Sequence, residues 1–560
     1  MIKKLVSRII NKIENVANNI MTKIGEENFW RCFLVIFVII SMIPILIPGI
    51  FWGHDIHFHL ARINGIVEGL KDGVFPVLIY PGYFSGYGYG NGIFYPDVFL
   101  YIPAILNLIG LSTIFSYKIL LVFINIGIIL SMYFCIKKIT KSNYSATIIS
   151  VLYLMSSYRM TDMWIRAALG ETLTFVFFPF VILGLYEIFY GDENNWKYYT
   201  IGLVGIALSH IISVVFCMAL TIIFFIINLK KVFAEKNRLK YLLVSGFLAV
   251  GISLFFTLPL LEAMLSDTFN YTTYQIKDPI ASHAVNPLLS FLEVPTGIVP
   301  WVPQGIGIVF IYLLFKFFKT KISEEKEQKF KTLCLVLGLI LLFMSTSLFP
   351  WKILGQAFGI IQFPWRLYII ITLLFLFGFS VAINYSVKNK KEKIHFALIL
   401  SLFMGFTFSV SFAYLLRFGS IKDYSHYSVI SAEYVPVGVD YKQFKDRGET
   451  ITSNNDLEIT FIKQGTNIKI SYDTNKKNDT YLELPLLYYK GYVAKENKEN
   501  LKIEKGTNGL VRIYLKNKTG NINVYYEITK IRKIGIVLSI ASIALFMLLC
   551  IRGKIKKVRR

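Results

Sequence analysis

Cysteine is scarce in this chain. Five occur in 560 residues, at Cys32, Cys135, Cys217, Cys334 and Cys550, and each lies in or beside an apolar run. None falls in the large polar segment and no CxxC pair occurs, which excludes a disulfide framework and a thiolate metal centre. Acidic residues are also few, 35 against 59 lysines and arginines, for a formal net charge of +24. The basic residues form no single patch. They fall in short runs between apolar segments: KK at 137, LKKVFAEKNRLK at 229, KFFKTKISEEKEQKFK at 316, KNKKEK at 388 and RGKIKKVRR at 552. That pattern marks the inner loops of a membrane protein, and it sets nucleic acid aside as a partner. The first 28 residues lack a compact apolar core with a small-residue cleavage site, so no cleavable leader is expected. No internal repeat is visible, which counts against transporter folds built from inverted halves.

Apolar residues are what the chain has in excess. Hydrophobic residues make up 55% of it and aromatics 16%, and the charged share is only 17%. Soluble domains sit near about 45–50% apolar and about 25% charged. With a mean hydropathy of +0.55, the chain reads as an integral membrane protein. Apolar runs fall at 30–51, 117–136, 144–158, 171–190, 197–210, 211–229, 240–263, 303–319, 331–349, 365–386, 393–416 and 533–552. Each is a candidate span, about twelve in all, with 197–229 readable as one tilted helix or two short ones. Placing the basic runs inside makes the first span run in to out and puts both termini in the cytoplasm, as expected of a multi-pass plasma-membrane protein.

The domain plan follows. Residues 1–29 form an amphipathic helix, with Ile2, Leu5, Ile9, Ile13, Val16, Ile20 and Ile24 opposite Lys3, Lys4, Arg8 and Lys12; it lies on the inner leaflet or packs on the bundle. Residues 30–417 form the transmembrane domain, with an outer loop at 52–116. A second outer piece covers 264–302. Residues 418–531 alternate as strands, with turn signals at Gln464-Gly465 and Asn508-Gly509, and predict a small antiparallel β-domain outside the membrane. Residues 532–560 return as a last helix and a basic tail.

Ionisable chemistry gathers at the outer mouths of the spans. FWGHDIHFHLARI, residues 51–63, holds His54, Asp55, His57, His59 and Arg62. On a helix Asp55, His59 and Arg62 share one stripe. SSYRMTDMWIRAALGE brings Arg159, Asp162, Arg166 and Glu171 close together, either as a simple Asp162–Arg166 pair or as part of a site, because charge at a span mouth is costly. His210 interrupts ALSHIISVV, as a hydrogen-bonded core residue or as part of the same surface. Gln362 and Arg366 precede a span, where the guanidinium anchors in headgroups or meets a phosphate. YPGYFSGYGYGNGIFYPDVFLYIP, with Tyr95, alternates glycine and aromatic residues, which suits an interfacial belt or a sugar platform. The four ligand-type residues His54, Asp55, His57 and His59 match zinc or manganese chemistry but lack a second half, so neither a metal nor another cofactor is expected.

GHDIHFHLARI, GNGIFYPDVFLYIP, RAALGETLTFVFFP, ALSHIIS, FFTLPLLEA and IQFPWRLYI, in that order, resemble the bacterial and archaeal membrane proteins named for a "6-pyruvoyl-tetrahydropterin synthase-related domain". These are akin to YfhO-like proteins and, more distantly, to GT-C membrane glycosyltransferases. LPLLYYKGYVA and NGLVRIYL are similar to the exposed β-domain of the YfhO-like group. The resemblance implies a mainly α, polytopic GT-C-like bundle. It also implies a polyprenyl-phosphate sugar donor, a cell-surface glycan, lipid or protein acceptor, and Asp55 in the place of the general base just past the first span. The chain departs from many GT-C enzymes in having no second acidic residue beside Asp55. His54, His59, Arg62, Tyr95, Arg159, Asp162, Arg166, Glu171, His210, Gln362 and Arg366 are the candidate substrate-binding residues. A non-enzymatic lipid or polysaccharide translocator and a cell-wall scaffold are the alternatives.

Overall fold

A computed structural model describes residues 2–273, 280–292, 305–417, 419–422, 432–474 and 480–558. Parts of the second outer piece (274–279 and 293–302), the start of the run 303–319 (303–304) and parts of the polar insert (418, 423–431 and 475–479) lie outside the described residues. The chain divides into two compact units: Met1–Ile56, Lys118–Ala249 and Ile276–Lys422 form one, and His57–Tyr117, Val250–Gln275 and Asp423–Arg560 the other.

Helix dominates because the apolar runs are long and their backbone groups find partners only within the segment. Among the described residues seven helices are long and apolar enough to cross a membrane: Thr113–Thr140, Leu169–Phe189, Lys236–Ser266, Glu325–Ser345, Pro364–Ser386, Lys390–Leu415 and Lys530–Gly553. The other five apolar runs contain shorter helices, Glu26–Ser41, Asn143–Leu154, Lys197–Ala207, Ile211–Ile227 and Val309–Phe317. At 1.5 Å per residue most of these fall well short of the roughly 30 Å hydrocarbon layer. Residues 197–229 are two helices. They part at Ser209-His210, where the Ser209 hydroxyl turns back to the Gly205 carbonyl (2.6 Å) and His210 takes an extended conformation before the next helix.

In the first unit, Pro364–Ser386 is the central helix, with 94% of its apolar stretch buried. Leu169–Phe189 and Lys197–Ala207 pack closely because glycine lines their contact. A Cβ on Gly202 would stand 2.6 Å from the Val181 nitrogen, and one on Gly184 or Gly205 would run into Tyr199 or Phe177. Caps set several ends: Ser142 accepts from the Ser145 N–H (3.1 Å) and Asn389 from that of Glu392 (2.8 Å).

The second unit holds two antiparallel sheets spanning Thr452–Tyr526, and the first unit a short antiparallel pair, Ile50–Phe51 with Ser420–Ile421. Alternation sets the register. Ile468, Ile470 and Tyr472 point inward from Asn467–Asp473, and Ile522 and Val524 do so from its partner Thr519–Tyr526. Gly465 supplies the positive φ of 58° that turns Glu458–Gln464 into Asn467–Asp473. The glycine and aromatic loop of residues 80–95 is folded core in this unit. Tyr80, Tyr83, Tyr87 and Tyr89 are buried, and Tyr87 stacks on Phe444 at 4.2 Å and donates to the Gly448 carbonyl (2.5 Å). These four rings are therefore not open platforms for a sugar.

The glycine seam carries a stability prediction. Gly184→Leu should force the two helices apart and cost about 1–3 kcal/mol, read as a lowered unfolding midpoint of the purified protein. Gly246→Ala, with nothing within 4 Å of its Cβ position, should leave the midpoint level or raise it, because Gly in a helix costs about 0.5–1 kcal/mol relative to Ala. Equal midpoints for wild type and Gly184→Leu would remove the close-approach account.

Candidate functional site

The site of the first unit is built on one irregular turn. Thr161–Arg166 winds as a π-helix and ends at Ala167, whose φ of 52° is left-handed. Such π-turns recur at functional sites because they push side chains out of ordinary helical register. Leu169 then starts the next helix with Glu171 in its first turn, where unsatisfied N–H groups favour a negative charge. The FWGHD segment lies against this turn. The amide of His54 donates to the Ile165 carbonyl (3.2 Å) and that of Asp55 to the Arg166 carbonyl (2.9 Å). Gly53 permits the approach, since a Cβ there would sit 2.6 Å from that of Ala167.

Glu171 is the hub of the side-chain network. Its carboxylate accepts from the Tyr158 hydroxyl (2.5 Å), from Arg166 Nη1 (2.9 Å) and from Arg366 Nε (3.1 Å). Arg166 Nη1 also pairs with Asp162, which accepts from Thr172 (3.3 Å). Arg366 Nη1 donates to the Ile361 carbonyl (3.0 Å) and to Gln362 Oε1 (2.7 Å), and Gln362 has a φ of 63°. The Trp365 ring lies 4.7 Å from the Arg166 guanidinium carbon. Among the described residues, no hydrogen bond engages Nε or Nη2 of Arg166, or Nη2 of Arg366. Each arginine is therefore held on one edge and open on another.

Asp55 adds a third carboxylate beside these two guanidiniums and keeps partial contact with solvent. Burial pushes its carboxyl above the usual range; the charges of Arg166 and Arg366 oppose that shift, and Glu171 adds to it. Burial also lowers the exposed-side neighbour His54, reinforced by Arg166. His210 belongs to the same unit, its Nδ1 2.9 Å from the Ser213 hydroxyl. Arg159 is fully buried elsewhere in the unit. Its Nη2 donates to Asn125 Oδ1 (2.5 Å), its Nη1 faces the sulfurs of Met160 and Met163, and burial pushes it down to about 9.

The single stripe expected for Asp55, His59 and Arg62 is divided. The helix runs Ile56–Lys71, so Asp55 precedes it, while His59 and Arg62 belong to the second unit. There Arg62 is engaged on all three of its nitrogens. It donates to Asp97 Oδ1 (2.5 and 3.1 Å) and to the Pro96 carbonyl (2.9 Å), lies 3.2 Å from His59 Nδ1, and stacks 4.1 Å from the Tyr95 ring centroid. Tyr80 completes the network, donating to Asp97 at 2.6 Å. These contacts take four of the five N–H donors of Arg62, leaving one on Nη1. Sequence reasoning missed Asp97 and Tyr80 here, and Tyr158, Trp365 and Thr172 in the first unit, although all five lie inside or beside the motifs already quoted. Among the described residues, no group of three or more His, Cys, Asp and Glu side chains could hold a metal ion.

No family model matches the chain. It is similar to an uncharacterised protein of Lactococcus lactis subsp. cremoris (strain MG1363), 23% identical over 95% of this chain and 98% of that one. Two solved structures from Archaeoglobus fulgidus are also similar. One is an oligosaccharyltransferase in its apo form, 13% identical with a TM-score of 0.36, covering 69% of this chain and 56% of that one. The other is the oligosaccharyltransferase AglB in complex with an inhibitory peptide and a dolichol-phosphate, 14% identical with a TM-score of 0.34, covering 72% and 57%. The chain thus spans a little over half the length of these two structures.

Proposed function

We propose that the protein is a membrane glycosyltransferase that moves a sugar from a polyprenyl-phosphate carrier to a cell-surface acceptor at the outer face. The observation that carries this reading is the half-buried Asp55 carboxylate beside two guanidiniums with open edges. In the reaction, Asp55 takes the proton of the acceptor hydroxyl while that oxygen attacks the anomeric carbon. The bond between the anomeric carbon and the phosphate oxygen breaks, and the negative charge left on the carrier phosphate meets Arg166 and Arg366. Their contacts to Glu171 and Gln362 hold the open N–H edges in place before the charge develops. His54 and Gln362 contribute further polar contacts to the sugar. Both termini and the Lys/Arg runs lie in the cytoplasm, and the β-domain and Asp55 lie outside.

Asp55→Asn keeps the shape and removes the basic oxygen, so transfer should fall by roughly 10² to 10⁴ with normal expression. Full activity in this variant would assign the carboxylate a structural role and move the base to another acid of the site; carrier-lipid movement without any sugar transfer by the wild-type protein would favour a non-enzymatic translocator. The sign of the pH dependence follows from the raised carboxyl. A base works only when ionised, so the rate should fall as pH drops through a value above the ordinary aspartate value of about 4. That acid limb should be missing from the residual rate of Asp55→Asn.

Arg366 is best tested by Arg366→Lys, because truncation would strand Glu171. Lysine keeps the charge and loses the fork, so the carrier KM should rise about tenfold, with a smaller change in kcat. An unchanged carrier dependence would make Arg366 an anchor only. The topology is tested by reporter fusions after Lys138, Lys240, Lys391 and Asn455. The first three should read inside and the last outside; an inside reading at Asn455 would overturn the placement of the β-domain.

A further inference from the structure

The helix Ile2–Ile24 has three distinct faces. Glu14 and Met21 are buried, and the Glu14 carboxylate meets His395 Nδ1 at 2.5 Å. A second tie lies just past the helix, where Lys393 donates to Glu26 at 2.7 Å. Both ties reach the opening turns of Lys390–Leu415, where the lysines at 390, 391 and 393 give way to apolar sequence. The short helix is therefore fastened at the level where a membrane-spanning helix passes from water into lipid.

Beside the fastened face runs an unpartnered apolar ridge. Ile13, Val16, Ile20 and Ile24 are 46%, 52%, 44% and 39% exposed. Their spacing of three, four and four residues keeps them on one side. On the far edge of the ridge stand the exposed Arg8, Lys12 and Lys23. The whole helix carries five basic residues and one acidic residue, Glu14, which is already paired inward. An apolar ridge with a cationic border at the boundary of a spanning helix complements a lipid surface bearing negative headgroups: acyl chains take the ridge and phosphates take the border.

We infer that the helix Ile2–Ile24 docks on an anionic phospholipid surface, with Ile13, Val16, Ile20 and Ile24 among the acyl chains and Arg8, Lys12 and Lys23 on the headgroups. This is independent of the transfer chemistry. A second copy of the chain binding the ridge is the competing occupant.

The test uses the full-length protein in nanodiscs, with Cys32 and Cys550 replaced by serine and one new cysteine carrying an environment-sensitive fluorophore. Val16→Cys and Ile20→Cys should give blue-shifted emission that brominated acyl chains quench severalfold. Asn15→Cys and Asn18→Cys, on the polar face, should report water. The contrast should weaken when a disc with about one-third phosphatidylglycerol is replaced by phosphatidylcholine alone, and likewise in the Lys12→Gln, Lys23→Gln double variant. Emission at positions 16 and 20 that matches water overturns the inference. So does a blue shift insensitive to brominated lipid and lost on dilution to one chain per disc, which would assign the ridge to a second copy. A contrast that is equal in neutral and anionic discs overturns the headgroup assignment.

Discussion

One buried carboxylate holds the candidate site together. Glu171 binds two guanidiniums and a phenol, and through Arg366 it ties positions 195 residues apart in the chain. A carboxylate with almost no solvent contact is stable only when its lone pairs are met by charged donors. Removing one partner from such a set costs about 3–5 kcal/mol, because the remaining charge is left uncompensated. Glu171 sits where the backbone also favours it, in the first turn of its helix. The position of both arginines, and with it the electrostatic setting of Asp55, rests on this hub.

The backbone brings Asp55 to that hub. The π-turn carries Asp162 and Arg166, its left-handed end at Ala167 leads into the next helix, and Gly53 lets the FWGHD segment lie directly on it. Three carboxylates, Asp55, Asp162 and Glu171, then face two guanidiniums. A set with one more acid than base favours a proton on one carboxylate, and burial raises both Asp162 and Asp55, Asp162 the further. Asp55 has the most solvent contact of the three acids and is the one placed to take a proton from outside the set.

The two arginine clusters differ in a way that separates structure from chemistry. Arg62 spends Nε, Nη1 and Nη2 on Asp97, Pro96 and His59 within its own unit. It closes a network that takes all but one of its five N–H donors. Arg166 and Arg366 each keep an edge with no hydrogen bond among the described residues. The same residue type at the mouth of an apolar run is therefore a clasp in one place and a candidate phosphate contact in the other.

Composition and periodicity alone determined the membrane class, the long helices, the alternating strands and the turns at Gln464-Gly465 and Asn508-Gly509. These are local properties: hydropathy over twenty residues selects a helix, and a period of two selects a strand. The residues near the site were legible as charges beside apolar runs, because such charges are costly unless partnered. Their partners were not. Asp55, His59 and Arg62 read as one stripe only if the helix includes Asp55, whereas it begins at Ile56 and His54-Asp55 form a turn before it. That Arg366 meets Glu171, that Arg62 meets Asp97, and that the tyrosines of the glycine loop turn inward depend on contacts between segments tens to hundreds of residues apart, for which a single sequence carries no periodic signal. Which arginine is bonded on all three nitrogens and which keeps an open edge was decided only by tertiary packing, since that depends on how many acceptors the fold brings to each guanidinium.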